Sequence, residues 1–404
     1  MKRCSIATAI LVVVLGATAS WADVIHVPAD YTTIQAALNA AISGDIIVVA
    51  AGTYAGFTAA TPSVELRGAQ YNIDPNGALY RGTGDVDESV ITSTIMITAD
   101  YVTVNGFKTS YPINVGYDHA WHVNISYNIS QDADGHWGAI HLHGVAAGPI
   151  YNQCDFAYIG YNTISGTTSP DWQGGGIWTV GNDDVTIEHN HVLNSKYMGI
   201  IALNHVGARN HILHNTVTGS GHTPIRFWGG SEADISYNVV DGAVYDGLWV
   251  DQAADNSTVS YNEISNVTYA AVALRTGAAG VNVHNNTITT SGTGIEVRGT
   301  NVTATDNCIH HNLDGIVLHD TATGVFHDND IHDNTYWGLN NNTGVLVDAE
   351  NNWWGHSTGP YHPTVNPSGL GNPVSDDVDF SPWTTGPTGA EPTTWGHIKS
   401  LFNR

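Results

Sequence analysis

Residues 212–251 read ILHNTVTGSGHTPIRFWGGSEADISYNVVDGAVYDGLWVD, and two patterns occur twice within them. One is aliphatic-x-x-Asn-x-aliphatic, at Ile212 to Val217 and again at Ile235 to Val240. The other is a small residue or Pro, then aliphatic-x-apolar-x, at Pro224 to Trp228 and Gly247 to Asp251. Followed outward, the leading aliphatic of the second pattern recurs at Ile140, Ile177, Ile200, Ile225, Leu248, Val272, Ile295, Ile316 and Leu339. After a first interval of 37, the steps are 23, 25, 23, 24, 23, 21 and 23 residues. The first pattern keeps phase and aligns Asn128, Asn162, Asn190, Asn215, Asn238, Asn262, Asn286, Asn307 and Asn329.

Each repeat has room for two or three short strands of period two joined by Gly or Asn turns, and none for a crossover helix. A unit of this size leaves an apolar face open until a neighbour stacks on it. The spacing therefore predicts an all-β parallel β-helix of about 10–11 coils, 21–25 residues each. Asn tolerates tight turns, and stacked amides can hydrogen-bond from coil to coil. An N-terminal cap helix is expected over 33–43, opened by Thr32-Thr33-Ile34-Gln35, with Ile34, Ala37, Leu38, Ala41 and Ile42 at helical spacing. A C-terminal cap is expected over 343–386, where the repeat gives way to Gly, Pro and Trp, followed by a tail over 387–404.

The chain of 404 residues carries 12 Lys and Arg against 37 Asp and Glu, a net charge of -25, which excludes a general nucleic-acid binder. A hydrophobic share of 42% excludes a disordered acidic chain. Residues 1–22 read as an export signal: Lys2 and Arg3, an apolar run from Ile6 to Leu15, then small residues at Ala17, Ala19, Ser20 and Ala22. No later run suits a membrane span. The expected mature protein is an exported monomer with ten basic residues.

TIQAALNAAISGDIIVVAAGTY (33–54) resembles the N-terminal cap of right-handed parallel β-helix proteins of the pectate-lyase-like superfamily. The coils resemble its repeats, and the segment 351–383 is similar to a closing segment of secreted bacterial β-helix proteins. Together they cover nearly all of the mature chain. The resemblance implies the fold more than a reaction, because the superfamily holds lyases, hydrolases, epimerases and non-catalytic proteins.

Strand alternation points the first and third residues of each GIxVx string inward and the second and fourth outward. The second column reads His141, Trp178, Ile201, Arg226, Trp249, Ala273, Glu296, Val317, Asn340. The fourth reads His143, Val180, Leu203, Trp228, Asp251, Arg275, Arg298, His319, Asn342. Arg226, Trp228, Trp249, Trp178, His141 and His143 are the expected substrate-binding residues. The Arg cluster is expected to attract an acidic polysaccharide to an otherwise acidic protein, with the Trp faces as sugar platforms. A purely structural Arg–Glu–Arg ladder is the competing reading of the same columns.

Three functions compete. In a polysaccharide lyase, Arg275 and Arg298 would clamp the uronate carboxylate, His319 would move the proton, and Asp251 would orient a partner or a metal. The resemblance implies Arg, Lys and Ca²⁺ in such roles; no Lys lies in the stripe, and no cofactor is specified beyond a place for Ca²⁺. In a glycoside hydrolase, Asp251 and Glu296 would be the two carboxyls, at a spacing suited to inversion. In the third reading the solenoid is a non-catalytic glycan-binding or surface protein.

Lesser features are read as structural. Asp183-Asp184 caps a turn, Asp132-Ala133-Asp134-Gly135 is a turn with a faint Ca²⁺-loop look, and Tyr127, Tyr161, His189, His214, Tyr237 and Tyr261 form an aromatic stack. His310, His311, His327 and His332 among Asp328, Asp330 and Asp333 suggest loose metal binding. Tyr117-Asp118-His119 lacks the Pro and Glu of the mannuronan-epimerase signature. Cys154 and Cys308 lie about six coils apart, too far for a disulfide, with Cys308 expected at the surface.

Overall fold

The computed structural model describes residues 22–77, 81, 84–116, 120–134, 138–143, 154–168, 174–203, 209–252 and 254–389. The export signal, the Tyr117 to His119 motif, Gly135 and most of the tail lie outside these residues.

Three parallel sheets run the length of the solenoid, one of 15 strands and two of 12. A coil passes through them in order: Asp234–Ser236 in the first sheet, Val239–Ala243 in the second, Leu248–Asp251 in the third. Successive coils pair in the phase the repeat dictates, so that Ile225 faces Leu248, and Leu248 faces Val272. The twelve rungs of the shorter sheets include N-terminal coils that lack the Asn string. Ile212, Val217, Ile225, Phe227, Ile235, Val240, Leu248 and Val250 point inward and are 0–1% exposed.

The Asn column forms a continuous amide ladder. Asn238 Nδ2 donates to Asn262 Oδ1 at 3.0 Å and to the Ile212 carbonyl at 2.8 Å. Its Oδ1 accepts the Asn215 backbone N–H at 2.9 Å and Asn215 Nδ2 at 3.0 Å. The same amide-to-amide link, 2.9–3.1 Å, joins every member from Asn128 to Asn329. The ladder then continues to Asn352, inside the expected C-terminal cap. The residue before each ladder Asn is in the left-handed region, with φ between 54° and 58° from Tyr127 to Tyr261. That conformation is costly for an aromatic residue. It is held by the ladder on one side and by ring stacking on the other, at centroid spacings of 4.7–4.9 Å from Tyr127 to Tyr261. This is the rung spacing of a parallel sheet.

Both ends are closed. The helix is shorter than expected, Ile34–Ala40, and Thr33 caps it by accepting the Ala36 N–H. Gln35 does not complete a capping box. Its amide instead exchanges two hydrogen bonds with the backbone of Thr58, which pins the helix to the first strand of the third sheet. At the other end Trp354 is fully buried, and Asn372 terminates a second, shorter ladder through Asn312 and Asn334. Cys154 and Cys308 are both buried and no disulfide joins them. Burial pushes the Cys154 thiol up to about 12. Cys308 is 5% exposed, against the expectation of a surface thiol. Its strand lies between those of Thr287 and Asp330 in the second sheet, and Thr388 donates to Asp330 on the neighbouring strand.

Two predictions follow from the ladder and its stack. Asn238→Ala removes the partner of the Asn215 N–H and a donor to the Ile212 carbonyl in the interior; at roughly 1–3 kcal/mol for each group, the urea midpoint should fall by the equivalent of about 2–6 kcal/mol. Burial lowers the pKa of His189, His191 and His214. Their contribution to stability is full above the unfolded value of about 6.5 and is lost as pH falls through the lowered folded values. Asp246, Glu263 and Asp314, raised by burial, act in the opposite sense. Urea midpoints should therefore decline below neutrality less steeply in the His189→Asn/His214→Asn double variant than in the parent, and identical slopes would contradict the assignment.

Candidate functional site

The outer face of the third sheet divides into two regions. In the first, the structure corrects the expectation of an open stripe. Trp178 is 1% exposed and His141 is 2% exposed. Trp178 packs with Met198, Ile201 and Leu203 into a second apolar cluster outside the coil, bordered by Val180, Tyr197 and Trp228. The reason is the column itself: Ile201 and Leu203 follow Trp178 and Val180 rung by rung, so successive outward positions are apolar and bury each other. His143 is half-buried, stands edge-on to His141 at 5.0 Å, and has its pKa lowered by burial.

The second region begins at Arg226. Strands Ile225–Trp228, Leu248–Asp251, Ala270–Leu274, Thr293–Val297 and Asp314–Leu318 set the register, and backbone bonds to the preceding coil hold Arg275, Arg298 and His319 just past their strands. Trp249 lies beneath two guanidiniums: the Arg226 carbon is 4.0 Å from its ring centroid and the Arg275 carbon 5.4 Å. Arg226 also lies 4.7 Å from the Trp228 ring.

Every stripe Arg has an acidic partner. Arg226 pairs with Asp251 at 3.0 Å. Arg275 bridges Glu296, at 2.7 Å, and the fully buried Asp246. Arg298 joins the other Glu296 oxygen at 2.8 Å and Asp320 at 2.6 Å. His319 stands 3.7 Å from Glu296. Three positive side chains thus meet four negative ones, and the face carries no excess positive charge to draw a polyanion. Burial shapes the ionisation: it lowers the Arg226 pKa and raises that of Asp246 against the pull of Arg275. Arg298, with 31% of its side chain exposed, is the most accessible guanidinium of the three.

Asp251 and Glu296 lie two rungs apart, as expected, each committed to a different Arg. Asp184 holds Arg209 through two bonds of 2.8 Å, away from this face, which fits the structural reading of Asp183-Asp184. Of the histidine cluster, His310 contacts both His311, at 2.6 Å between ring nitrogens, and His332, which pairs with Asp333, while His327 stands apart and pairs with Asp348. Among the described residues no group of three or more His, Cys, Asp or Glu side chains is arranged to hold a metal ion.

Sequence reasoning missed a third column. Three positions before the leading aliphatic stand Tyr197, His222, Tyr245 and Tyr269 in four successive coils. His222 and Tyr245 stack at 4.6 Å, Tyr245 lies 5.8 Å from Trp249, and Tyr269 is 56% exposed. Asp246, the next residue, was missed with them. The signal was legible as four aromatics in phase, but it lies outside the strand alternation that selected the other columns. Trp249, Tyr245, His222 and Tyr269 together make an aromatic shelf beside the ion-pair ladder. The buried Trp249 Nε1–H and Arg226 Nε–H have no protein partner, and such groups mark a place for water or a ligand.

If the ladder is mainly architectural, its members should differ in weight. Glu296→Ala takes one carboxylate partner from each of Arg275 and Arg298, leaving them paired with Asp246 and Asp320 alone, and should cost about 1–3 kcal/mol in urea unfolding. Arg298→Ala, at the exposed end, should cost under about 1 kcal/mol.

The comparisons with known proteins agree with this architecture. Residues 143–301 and 203–354, together more than half of the chain, match the family described as the right handed beta helix region. No curated protein matches the chain. The Dettilon tailspike protein superposes with a TM-score of 0.53 at 16% identity, over 76% of this chain and 67% of its own. The A-module of the Azotobacter vinelandii mannuronan C-5 epimerase AlgE6 gives 0.52 at 14% identity, over 88% of this chain and 94% of its own. PfbA, a surface adhesin of Streptococcus pneumoniae, gives 0.50 at 12% identity, over 81% and 92%. At these identities the likeness is one of fold alone. No helix among the described residues is long and apolar enough to cross a membrane. With the matched repeats spanning the coils that carry the ladder, the chain belongs to the right-handed β-helix family.

Proposed function

We propose that this is an exported β-helix protein that binds a polysaccharide along the outer face of the third sheet without cleaving it, with the aromatic shelf as the contact and Arg298 as the reader of occasional acidic groups. The observation that carries this reading is Trp249, whose ring is flanked by Arg226 and Arg275 while its N–H lacks a protein partner. A sugar ring offers an apolar face to the shelf and hydroxyls to such donors. The neutralised ladder favours a chain of low charge density over a dense polyanion. Residues from Arg226 to His319 span five coils, about 20 Å at the rung spacing, room for a few sugar units. Export rests on the pattern of residues 1–22.

A second reading, β-elimination on a uronate polymer, is favoured by one feature. Arg275 and Arg298 already hold a single carboxylate, that of Glu296, between them, with His319 alongside. A substrate carboxylate that displaced Glu296 would find two guanidiniums and an imidazole in place. Ca²⁺ is included as a variable of the assay.

Affinity electrophoresis in xylan, mannan, pectate, alginate and glycosaminoglycans, with and without Ca²⁺, tests both. Retardation should appear with at least one polymer and weaken tenfold or more, about 1.4 kcal/mol, in Trp249→Ala. Arg298→Ala should weaken only the acidic arms. Absence of retardation, or an unchanged Trp249→Ala, defeats the binding proposal. Unsaturated uronates released from pectate or alginate would establish the lyase, and new reducing ends without them the hydrolase.

A further inference from the structure

A recess lies at the corner between the first and second sheets, away from the aromatic shelf. It has a volume of about 160 Å³ and is lined by Asp74, Tyr161, His189, His191, His214 and Tyr237, with Asn76, Asn215, Thr216 and Val239 completing it. Its floor is built by two columns. Tyr161, His189, His214 and Tyr237 belong to the stacked corner residues, and His191, Thr216 and Val239 face one another across adjacent strands of the second sheet.

One wall is a strap that leaves the first sheet after Glu65–Arg67 and crosses the coils. Asn72 and Asn105 exchange two hydrogen bonds of 2.8 and 2.9 Å at its base. Asn76 accepts the Thr163 hydroxyl at 2.6 Å, 87 residues away in sequence, and Asp74 accepts the Asn76 N–H at 2.8 Å. The repeat alone has no need of this excursion, and its effect is to close one side of a recess.

The chemistry of the walls narrows the occupant. His189 and His214 stack within 2° of parallel at 4.9 Å, and among the described residues no group of three or more His, Cys, Asp or Glu side chains is placed to hold a metal ion. Burial keeps all three imidazoles neutral near pH 7, and Asp74 is the one acid of the lining. Neither arrangement suits an anion. Neutral imidazoles, phenols, a threonine hydroxyl and a carboxylate are together both donors and acceptors, at short spacing around a small volume.

We infer that this recess is a second carbohydrate site, one that takes a single neutral sugar residue or a polyol of that size, held by Asp74, Thr216 and the His189, His191 and His214 rings. It is independent of polymer binding on the third sheet. The ligand is recognised through its hydroxyls; a free sugar and the end of a chain present the same groups.

Histidine-ring carbon–proton NMR on the full chain is the test, with the methyl glycosides of glucose, galactose and mannose, a neutral trisaccharide of each, and glucuronate as probes. At least one methyl glycoside should shift the His189, His191 and His214 signals saturably, and His191→Phe should weaken that response tenfold or more. Tighter binding of the trisaccharide identifies a chain end as the occupant, and equal binding identifies a single sugar. Thr216→Val, a milder change, should also weaken the response, which keeps the test available if His191→Phe unfolds. Lack of a saturable shift with every neutral sugar, a response unchanged in both variants, or tighter binding of glucuronate than of any neutral glycoside overturns the proposal. Trp249→Ala should leave these shifts in place, so failure at the third sheet and failure here are separately visible.

Discussion

The buried amide ladder is the interaction on which the rest of the structure depends. Each Asn side chain satisfies a backbone N–H of one coil, a carbonyl of another and the next amide in line. Buried backbone groups left without partners are expensive, so a coil that slips by one residue loses several bonds at once. Registration at one corner fixes the whole coil, because side chains alternate strictly along each strand. The aromatic stack is a consequence of that registration. A residue forced into the left-handed region at the same place in every coil finds its counterpart one rung away, and flat rings make use of the spacing.

Registration also explains the outer face of the third sheet. Once Arg226, Trp249, Ala273, Glu296 and Val317 lie in line, the positions between them are set within an ångström or so, and ion pairs form rung by rung. A guanidinium that is mostly buried cannot remain uncompensated, so scarce Arg residues end beside acids that an acidic chain supplies in excess. The outward aromatics form no ion pair, and Tyr269 at their edge is open to solvent, so binding is best sought there.

Much of this was legible in the residues. The leading aliphatics from Ile140 to Leu339 point inward, as the alternation requires, and the Asn column stacks as its spacing suggests. The exposure of individual outward positions was not legible. Trp178 and Trp249 occupy the same column, yet Trp178 is buried among Met198, Ile201 and Leu203 while Trp249 borders the ion pairs. Strand alternation reports direction, and it cannot report what neighbouring rungs place over a side chain. Cys308 fell to the same limit: its strand is flanked on both sides, by those of Thr287 and Asp330, and the side chain is buried.

The sequence by itself determined the solenoid, its coil length and the residues that share a column, because each depends on periodicity and on local backbone preference. Tertiary structure alone decided the pairing of Arg275 with Asp246, the neutral charge balance of the stripe and the recess under the Asn72 to Asn76 strap. Those depend on segments that meet across 20 to 90 residues, where distance in space is set by stacking and no local pattern records it.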